Sequence, residues 1–375
     1  MERILYFDNA ATSFPKPHEV ALEISRYLEL VGGPYGRSAY PRALETSRVV
    51  ERTRDALAGL FGTSKAEDIV FGPNATFALN TVLFGLLSAG DRVLVSPLEH
   101  NAVTRPLAAL EKARGIRWDC LPCHPDGRID PRRISEMLTD DVKLVVVNQL
   151  SNVNGVIQPL EEIKRAIGTV PLLVDASQSA GCLPIRLDDW SIDYMAFTGH
   201  KGLLGPTGTG GLFIRNAERL EPLVFGGTGT NSGRFEMPTD LPDRFEAGTG
   251  NIAGLFGLLA ALENRPAPCH SIQDFRSLVS EFSLLPGLTV HASLDPAWQG
   301  EVVSLSHRDI TCDSIGNELW SRFGIEVRVG LHCAPLAHTT LGTHPRGTVR
   351  IAPSVYQGTG EFEYLLGALR ELCVS

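Results

Sequence analysis

Between about residues 65 and 215, short apolar runs alternate with helix-patterned stretches, and this alternation constrains the fold more than any other feature. The runs are DIVFG, DRVLVS, KLVVVNQL, PLLVDAS, DYMAFTG and GGLFIR, with segments such as TFALNTVLFGLLSAG and PLEEIKRAIG between them. Several runs are apolar without a period of two, as strands buried on both faces are. Strands that alternate with helices build a largely parallel sheet covered on both sides, so the class is α/β. Ligands of such sheets gather at the carboxyl ends of the strands.

At 375 residues the chain has room for a second domain. A Gly-rich passage at 226–251 reads as a turn-rich connection. Beyond it come the helical IAGLFGLLAALEN, a Pro-rich RPAPC and a smaller α+β pattern. The division expected is a large domain at 15–250, with 1–14 and 251–375 forming the small one.

Composition excludes several classes. A net charge of -9 leaves no basic face for phosphate neutralisation, so no nucleic-acid partner is expected. The start MERILYFDNAAT has an acid at position 2 and no apolar h-region, unlike a secretory signal. No run approaches about 18 apolar residues, so no membrane span is expected. Seven scattered cysteines suit a reducing cytoplasm better than a disulfide framework. CLPCH sets Cys120 and Cys123 at CxxC spacing beside His124, but a structural zinc site needs a second ligand pair and none exists. The segment reads as a strand entering a turn, and no metal site is expected.

The strand ends carry polar residues of complementary types. PLLVD ends in Asp175, with Gln178 three residues on. YMAFT is followed by GHKGLLGPTGTGG, which holds Thr198, His200 and Lys201. DIVFGP runs into Asn74, Ala75 and Thr76 at a helix start, and DRVLVSPLE into His100. Alone, Asp175 reads as a helix cap and Lys201 as a solvated turn lysine. GPTGTGG lacks the lysine of a P-loop and precedes a strand. Together they match what pyridoxal 5'-phosphate requires. A lysine amine condenses with its aldehyde. A carboxylate keeps the pyridine nitrogen protonated, so that the ring draws electrons. Helix-start amides and hydroxyls hold the phosphate, and a flat imidazole stacks on the ring.

A further stretch, VRVGLHCAPLAHTTLG, sets Cys333 between His332 and His338 and five residues after Arg328. By itself this window leaves three readings open: nucleophile, metal ligand, or small apolar residue.

VDASQSA followed by DYMAFTGHKGLLGPTGTGGLFIR, with YFDNAAT near the start and SNVNG between, resembles the cysteine desulfurase family of class V aminotransferase-fold enzymes. The resemblance covers essentially the whole chain. It implies a fold-type I pyridoxal phosphate-dependent transferase with a large, mostly parallel sheet domain and a smaller α+β domain. It also implies that Lys201 carries the cofactor, Asp175 pairs with the pyridine nitrogen and Gln178 with the ring hydroxyl. His100 would stack and serve as acid or base, Thr76, Thr198 and His200 would hold the phosphate, and Asn74 and Ala75 would also bind the cofactor. Thr249, in RFEAGTGN, would reach the phosphate of a neighbouring subunit, which implies a homodimer.

RVGLHCAP is similar to the short catalytic-cysteine segment of the branch containing SufS-type desulfurases and selenocysteine lyases. By that likeness Cys333 is the nucleophile, and Arg328, Asn152 and Arg350 bind the substrate carboxylate. An arginine fork suits this task, and nearby cations favour a thiolate. The activity implied turns L-cysteine into L-alanine and leaves the sulfur on Cys333 as a persulfide, for a sulfur-acceptor protein to collect. A lyase for selenocysteine or another C–S substrate, an aminotransferase, and a non-catalytic scaffold stand as alternatives. THPRG makes the gap between Cys333 and Arg350 longer than in SufS-type enzymes.

Overall fold

The computed structural model describes residues 4–36, 38–230 and 233–374; positions 1–3 and 375 of the expected small domain and 231–232 of the Gly-rich passage lie outside the described residues. Strand β1 (Leu5–Tyr6) precedes helices α1 (His18–Arg26) and α2 (Pro41–Phe61). There follow β2 (Ile69–Gly72), α3 (Ala75–Leu86), β3 (Arg92–Val95), α4 (Asn101–Arg114), β4 (Arg117–Cys120), β5 (Val142–Asn148), α5 (Leu160–Ile167), β6 (Leu172–Asp175), β7 (Tyr194–Thr198) and β8 (Gly210–Ile214). Beyond the Gly-rich passage come α6 (Ile252–Glu263), α7 (Ile272–Phe282), β9 (Leu288–His291), β10 (Val303–His307) and α8 (Cys312–Phe323). The chain ends with β11 (Ile325–Glu326), β12 (Arg328–Gly330), α9 (Pro335–Thr340), β13 (Thr348–Ile351) and α10 (Thr359–Val374).

The large sheet has seven strands in the order β2-β8-β7-β6-β5-β3-β4. The pairs from β4 to β7 are parallel, and β8 runs antiparallel to both β7 and β2. A parallel return needs a crossover of a dozen or more residues, usually a helix. The 199–209 connection has none, so β8 comes straight back and leaves a tight turn at the end of β7.

Why the runs lack alternation is visible in β5. Leu144 and Val146 enter one cluster, under α3 and α4, while Val145 and Val147 enter another, under α2, α5 and α6. Both faces are buried there, so positions 144–147 are all apolar. β4 and β5 flank β3 on opposite sides, which opens a crevice at the carboxyl ends of β3 and β5. Ser96 donates a 2.8 Å hydrogen bond to Asn148 Oδ1 across it.

A second core lies around the antiparallel sheet β12-β13-β10-β9. Phe275 and Phe282 of α7, Leu319 of α8 and Leu365 of α10 pack there with Leu5 and Phe7. Helix α6 behaves differently from its sequence-based placement in the small domain. It is apolar all round, and Leu255, Phe256 and Leu259 join the large-sheet cluster. On packing grounds we propose that the large domain runs through α6 rather than stopping at 250.

Candidate active site

Asp175 is the last residue of β6 and is buried. Its Oδ1 accepts the Ser177 amide at 2.8 Å and the Ser177 hydroxyl as well. Gln178 donates through Nε2 to the Ala10 carbonyl at 2.9 Å, which ties the N-terminal strap to the site.

Lys201 sits in the tight turn after β7. That turn admits only glycine at two points: a Cβ at Gly199 would lie 2.1 Å from Thr209 Oγ1, and one at Gly202 2.4 Å from Cys182 Sγ. The strap fastens the turn from outside, as the Ser13 amide and Lys16 Nζ donate to the His200 carbonyl at 3.0 and 2.8 Å. Burial pushes the Lys201 amine down from 10.5 to about 8, against the opposing pull of the Asp175 carboxylate. A neutral, nucleophilic amine is thus accessible near neutral pH.

His100 is the N-cap of α4, and its Nδ1 accepts the Ala102 amide at 3.0 Å. That bond assigns the ring proton to Nε2. Burial lowers the imidazole to about 4, so it is a neutral, flat ring. At the head of α3, Asn74 Oδ1 accepts the Phe77 amide at 2.9 Å. The first-turn amides of Ala75 and Thr76 have no partner within the helix and are available to an anion. Thr198 and His200 complete this end. The Thr198 hydroxyl is 3.4 Å from the Thr209 carbonyl, and His200 Nδ1 is 3.0 Å from Thr12 Oγ1, its pKa lowered by burial to about 4.

Asn74, Ala75, Thr76, His100, Asn152, Asp175, Gln178, Thr198, His200 and Lys201 border one cleft. The donor set fits pyridoxal phosphate: an acid opposite an amine of lowered pKa, a neutral ring, and a helix start flanked by hydroxyls. Lys201 would bind the aldehyde, Asp175 the ring nitrogen, and the α3 end the phosphate.

The remaining expected residues lie outside that lining. Cys333 is exposed on the loop between β12 and α9, and its carbonyl accepts the Asn101 amide at 2.8 Å. Arg350, buried on β13, is 2.6 Å from Asp8 Oδ1 and donates to the Asn152 carbonyl at 3.1 Å; its Nε is buried without a partner. Arg328 is its register partner on β12. Two adjacent guanidinium groups repel. Burial, then the Arg328 charge, press the Arg350 pKa down while Asp8 holds it up. A bound carboxylate would relieve that repulsion. Asn152 Nδ2 gives one of its two protons to the His332 carbonyl at 2.8 Å. Thr249 is exposed and borders a separate cavity beside Phe71 and Phe77.

Sequence reasoning missed two acids. Asp8 was visible in YFDNAAT but carried no assignment, since its partner Arg350 is 342 positions away. Glu99 precedes His100 and is fully buried, with Oε1 accepting the Asn148 amide at 2.6 Å. Desolvation, reinforced by the Asp175 charge, raises its pKa well above the ordinary value and favours the neutral acid. An acid at a strand end of an apolar sheet was the available signal. Desolvation raises the Cys120 thiol to about 11, and the backbone of Cys123 pairs with that of Ile129. Among the described residues no group of three or more His, Cys, Asp and Glu side chains is placed to hold a metal ion.

The large mixed sheet, the lysine turn and the facing acid together define a class V aminotransferase-type site. The class V aminotransferase family model matches residues 5–365, and the chain belongs to that family. Pyridoxal 5'-phosphate is the cofactor of such enzymes, and the fold is their fold-type I. A probable cysteine desulfurase of Methanothermobacter thermautotrophicus is 33% identical over 98% of this chain and 94% of its own length. One from Pyrococcus abyssi is 32% identical over 100% and 95%. Among solved structures, the apo cysteine desulfurase of Thermococcus onnurineus superposes with a TM-score of 0.89 at 29% identity, covering 99% of this chain and 95% of that one.

Proposed function

We propose that this protein is a pyridoxal phosphate-dependent cysteine desulfurase that converts L-cysteine to L-alanine and takes the sulfur onto Cys333. The observation that carries the reading is the hydrogen bond from the Asn101 amide to the Cys333 carbonyl, which holds the backbone of an exposed cysteine against the residue next to His100, itself part of a cleft lining with Lys201 and Asp175. The cysteine desulfurases among the relatives support it.

When bound, the cofactor supplies an aldehyde for the amino groups of lysine and substrate and a ring that draws electrons from the substrate's bonds. Asp175, held by Ser177, would set its carboxylate at the ring nitrogen of the bound cofactor. Arg350 and Arg328 bind the substrate carboxylate and so fix which bond at Cα lies in reach. Asn152 serves by holding the Arg350 guanidinium and the His332 carbonyl. Lys201, its pKa lowered by burial, would take the Cα proton as a neutral amine and return one to carbon. The Cys333 thiolate attacks the substrate sulfur, the C–S bond breaks with its electron pair on carbon, and carbon gains a proton. The products are L-alanine and a Cys333 persulfide, so L-cysteine and one thiol are fully accounted for.

The reading extends to assembly. Phe225, Phe235, Leu28 and Leu30 are large apolar side chains left exposed at 68, 106, 67 and 72%. They support a homodimer in which Thr249 reaches the partner's phosphate. An exposed Cys333 supports hand-over to a sulfur-acceptor protein. Seven cysteines, all free, support a cytoplasmic setting. Among the described residues no helix is long and apolar enough to cross a membrane.

Incubation with L-cysteine and mass spectrometry of the Cys333 peptide tests the reading. A gain of one sulfur atom is expected. Alanine formation with an unmodified Cys333 peptide would overturn it.

A further inference from the structure

His332 and Cys333 are adjacent non-glycine residues with φ of 48° and 55°, two of only four such residues with positive φ among the described residues. L-residues rarely occupy this region unless the surroundings impose it. Here the surroundings are explicit. The buried His332 ring places Nε2 2.9 Å from Thr348 Oγ1. Thr348 Oγ1 donates to Ser304 Oγ at 3.0 Å, and Ser304 Oγ donates to the Val153 carbonyl at 2.7 Å.

Each hydroxyl has a single proton, so the chain has one polarity. The proton of Ser304 is given to Val153 and that of Thr348 to Ser304. Thr348 can then only accept from the imidazole, which puts the ring proton on Nε2. His332 Nδ1 becomes a bare acceptor, and it is buried with no partner. The two carbonyls are held as well. His332 O accepts from Asn152 Nδ2 at 2.8 Å, and Cys333 O accepts the Asn101 amide at 2.8 Å. The Ala334 amide closes the turn on the Leu331 carbonyl at 2.8 Å. Ring and backbone are therefore fixed from both sheets at once. Thr348 also begins β13, two residues before Arg350, so one strand sets both the thiol's anchor and the substrate's cation.

We propose that His332 is a positioning residue for sulfur transfer, aiming the Cys333 thiol through the one-way chain His332–Thr348–Ser304–Val153. The proposal rests on the desulfurase reading above. It assigns His332 no proton transfer and no contact with substrate.

The test uses the cofactor-loaded enzyme and Thr348→Val, which keeps the shape and removes the acceptor, beside Thr348→Ser, which keeps it. The Asn101 amide, bonded to Cys333 O, reports on the segment without any turnover. In Thr348→Val its hydrogen exchange should quicken about tenfold. The kcat for alanine formation should fall about tenfold, with KM and the visible cofactor band unchanged. Thr348→Ser should stay within about twofold of the parent on every readout. If Thr348→Val fails to load cofactor, His332→Gln and His332→Asn replace the pair, since only Gln sets an amide nitrogen near the place of Nε2. Parental exchange and kcat in Thr348→Val, or equal losses in Thr348→Ser, would overturn the proposal. If the parent makes alanine without sulfur on Cys333, the desulfurase reading fails instead, and Asn101 exchange still decides whether the chain holds the segment.

Discussion

Arg350 of β13 lies 2.6 Å from Asp8 of the N-terminal strap, so the guanidinium assigned to the substrate carboxylate already has an anionic partner. One nitrogen faces Asp8, another the Asn152 carbonyl, and Nε has neither. The group is thus aimed before substrate arrives, and its fork geometry matters. Arg350→Lys should raise KM for L-cysteine by about tenfold or more, because an ammonium cannot make two parallel bonds. The cofactor's absorbance should be unchanged. Steady-state kinetics with a parental KM would remove Arg350 from carboxylate binding.

Cofactor capture should follow the Lys201 amine. A lysine pKa lowered to about 8 means that the unloaded protein gains its neutral, reactive form as pH rises through that value. The rate of pyridoxal phosphate uptake should therefore climb between pH 7 and 9, not near the ordinary 10.5. Asp175 opposes the shift, so Asp175→Asn should move the midpoint lower. Stopped-flow absorbance across pH measures both. A midpoint above 10 would show that the amine is not desolvated.

Lys201→Ala should abolish the visible band and alanine formation together, since no other amine of the cleft lining stands in its place. A spectrum and an activity that survive the change would overturn the cofactor assignment.

Glu99 makes a stability prediction of definite sign. A carboxyl whose folded pKa is raised above 4.5 stabilises fully only below that unfolded value, and the contribution is lost as pH climbs toward the folded pKa. Glu99→Gln removes the titration while keeping the acceptor for the Asn148 amide. The Tm of the variant relative to the parent should rise from pH 5 to pH 8. A difference that is flat with pH would mean that Glu99 is ionised in the folded protein.

Much of the site was readable because parallel sheets present their chemistry at strand ends. Asp175, Thr198 and Lys201 follow apolar runs whose buried character is plain from composition, and His100 and Asn74 stand at helix starts. What joins distant segments was not readable. Nothing local connects Asp8 to Arg350, or Asn152 to the His332 carbonyl. Helix α6 is apolar on every side, so its sequence does not say which sheet it covers. After Cys333 the chain folds as α9, whose Ala337 packs against Leu98 and Val153, and THPRG follows as the turn into β13. Helix α9 braces the cysteine segment against the large domain, a consequence that length alone does not reveal.

The account stands on the thiol of Cys333, and Cys333→Ser with L-cysteine measures it most directly. A hydroxyl is a far poorer nucleophile toward sulfur at neutral pH. The variant should load cofactor with the parental spectrum, still perturb that spectrum when L-cysteine is added, and release little alanine. Alanine formation by Cys333→Ser at the parental rate would contradict the account: the thiol would be a packing residue, and sulfur would leave by another route.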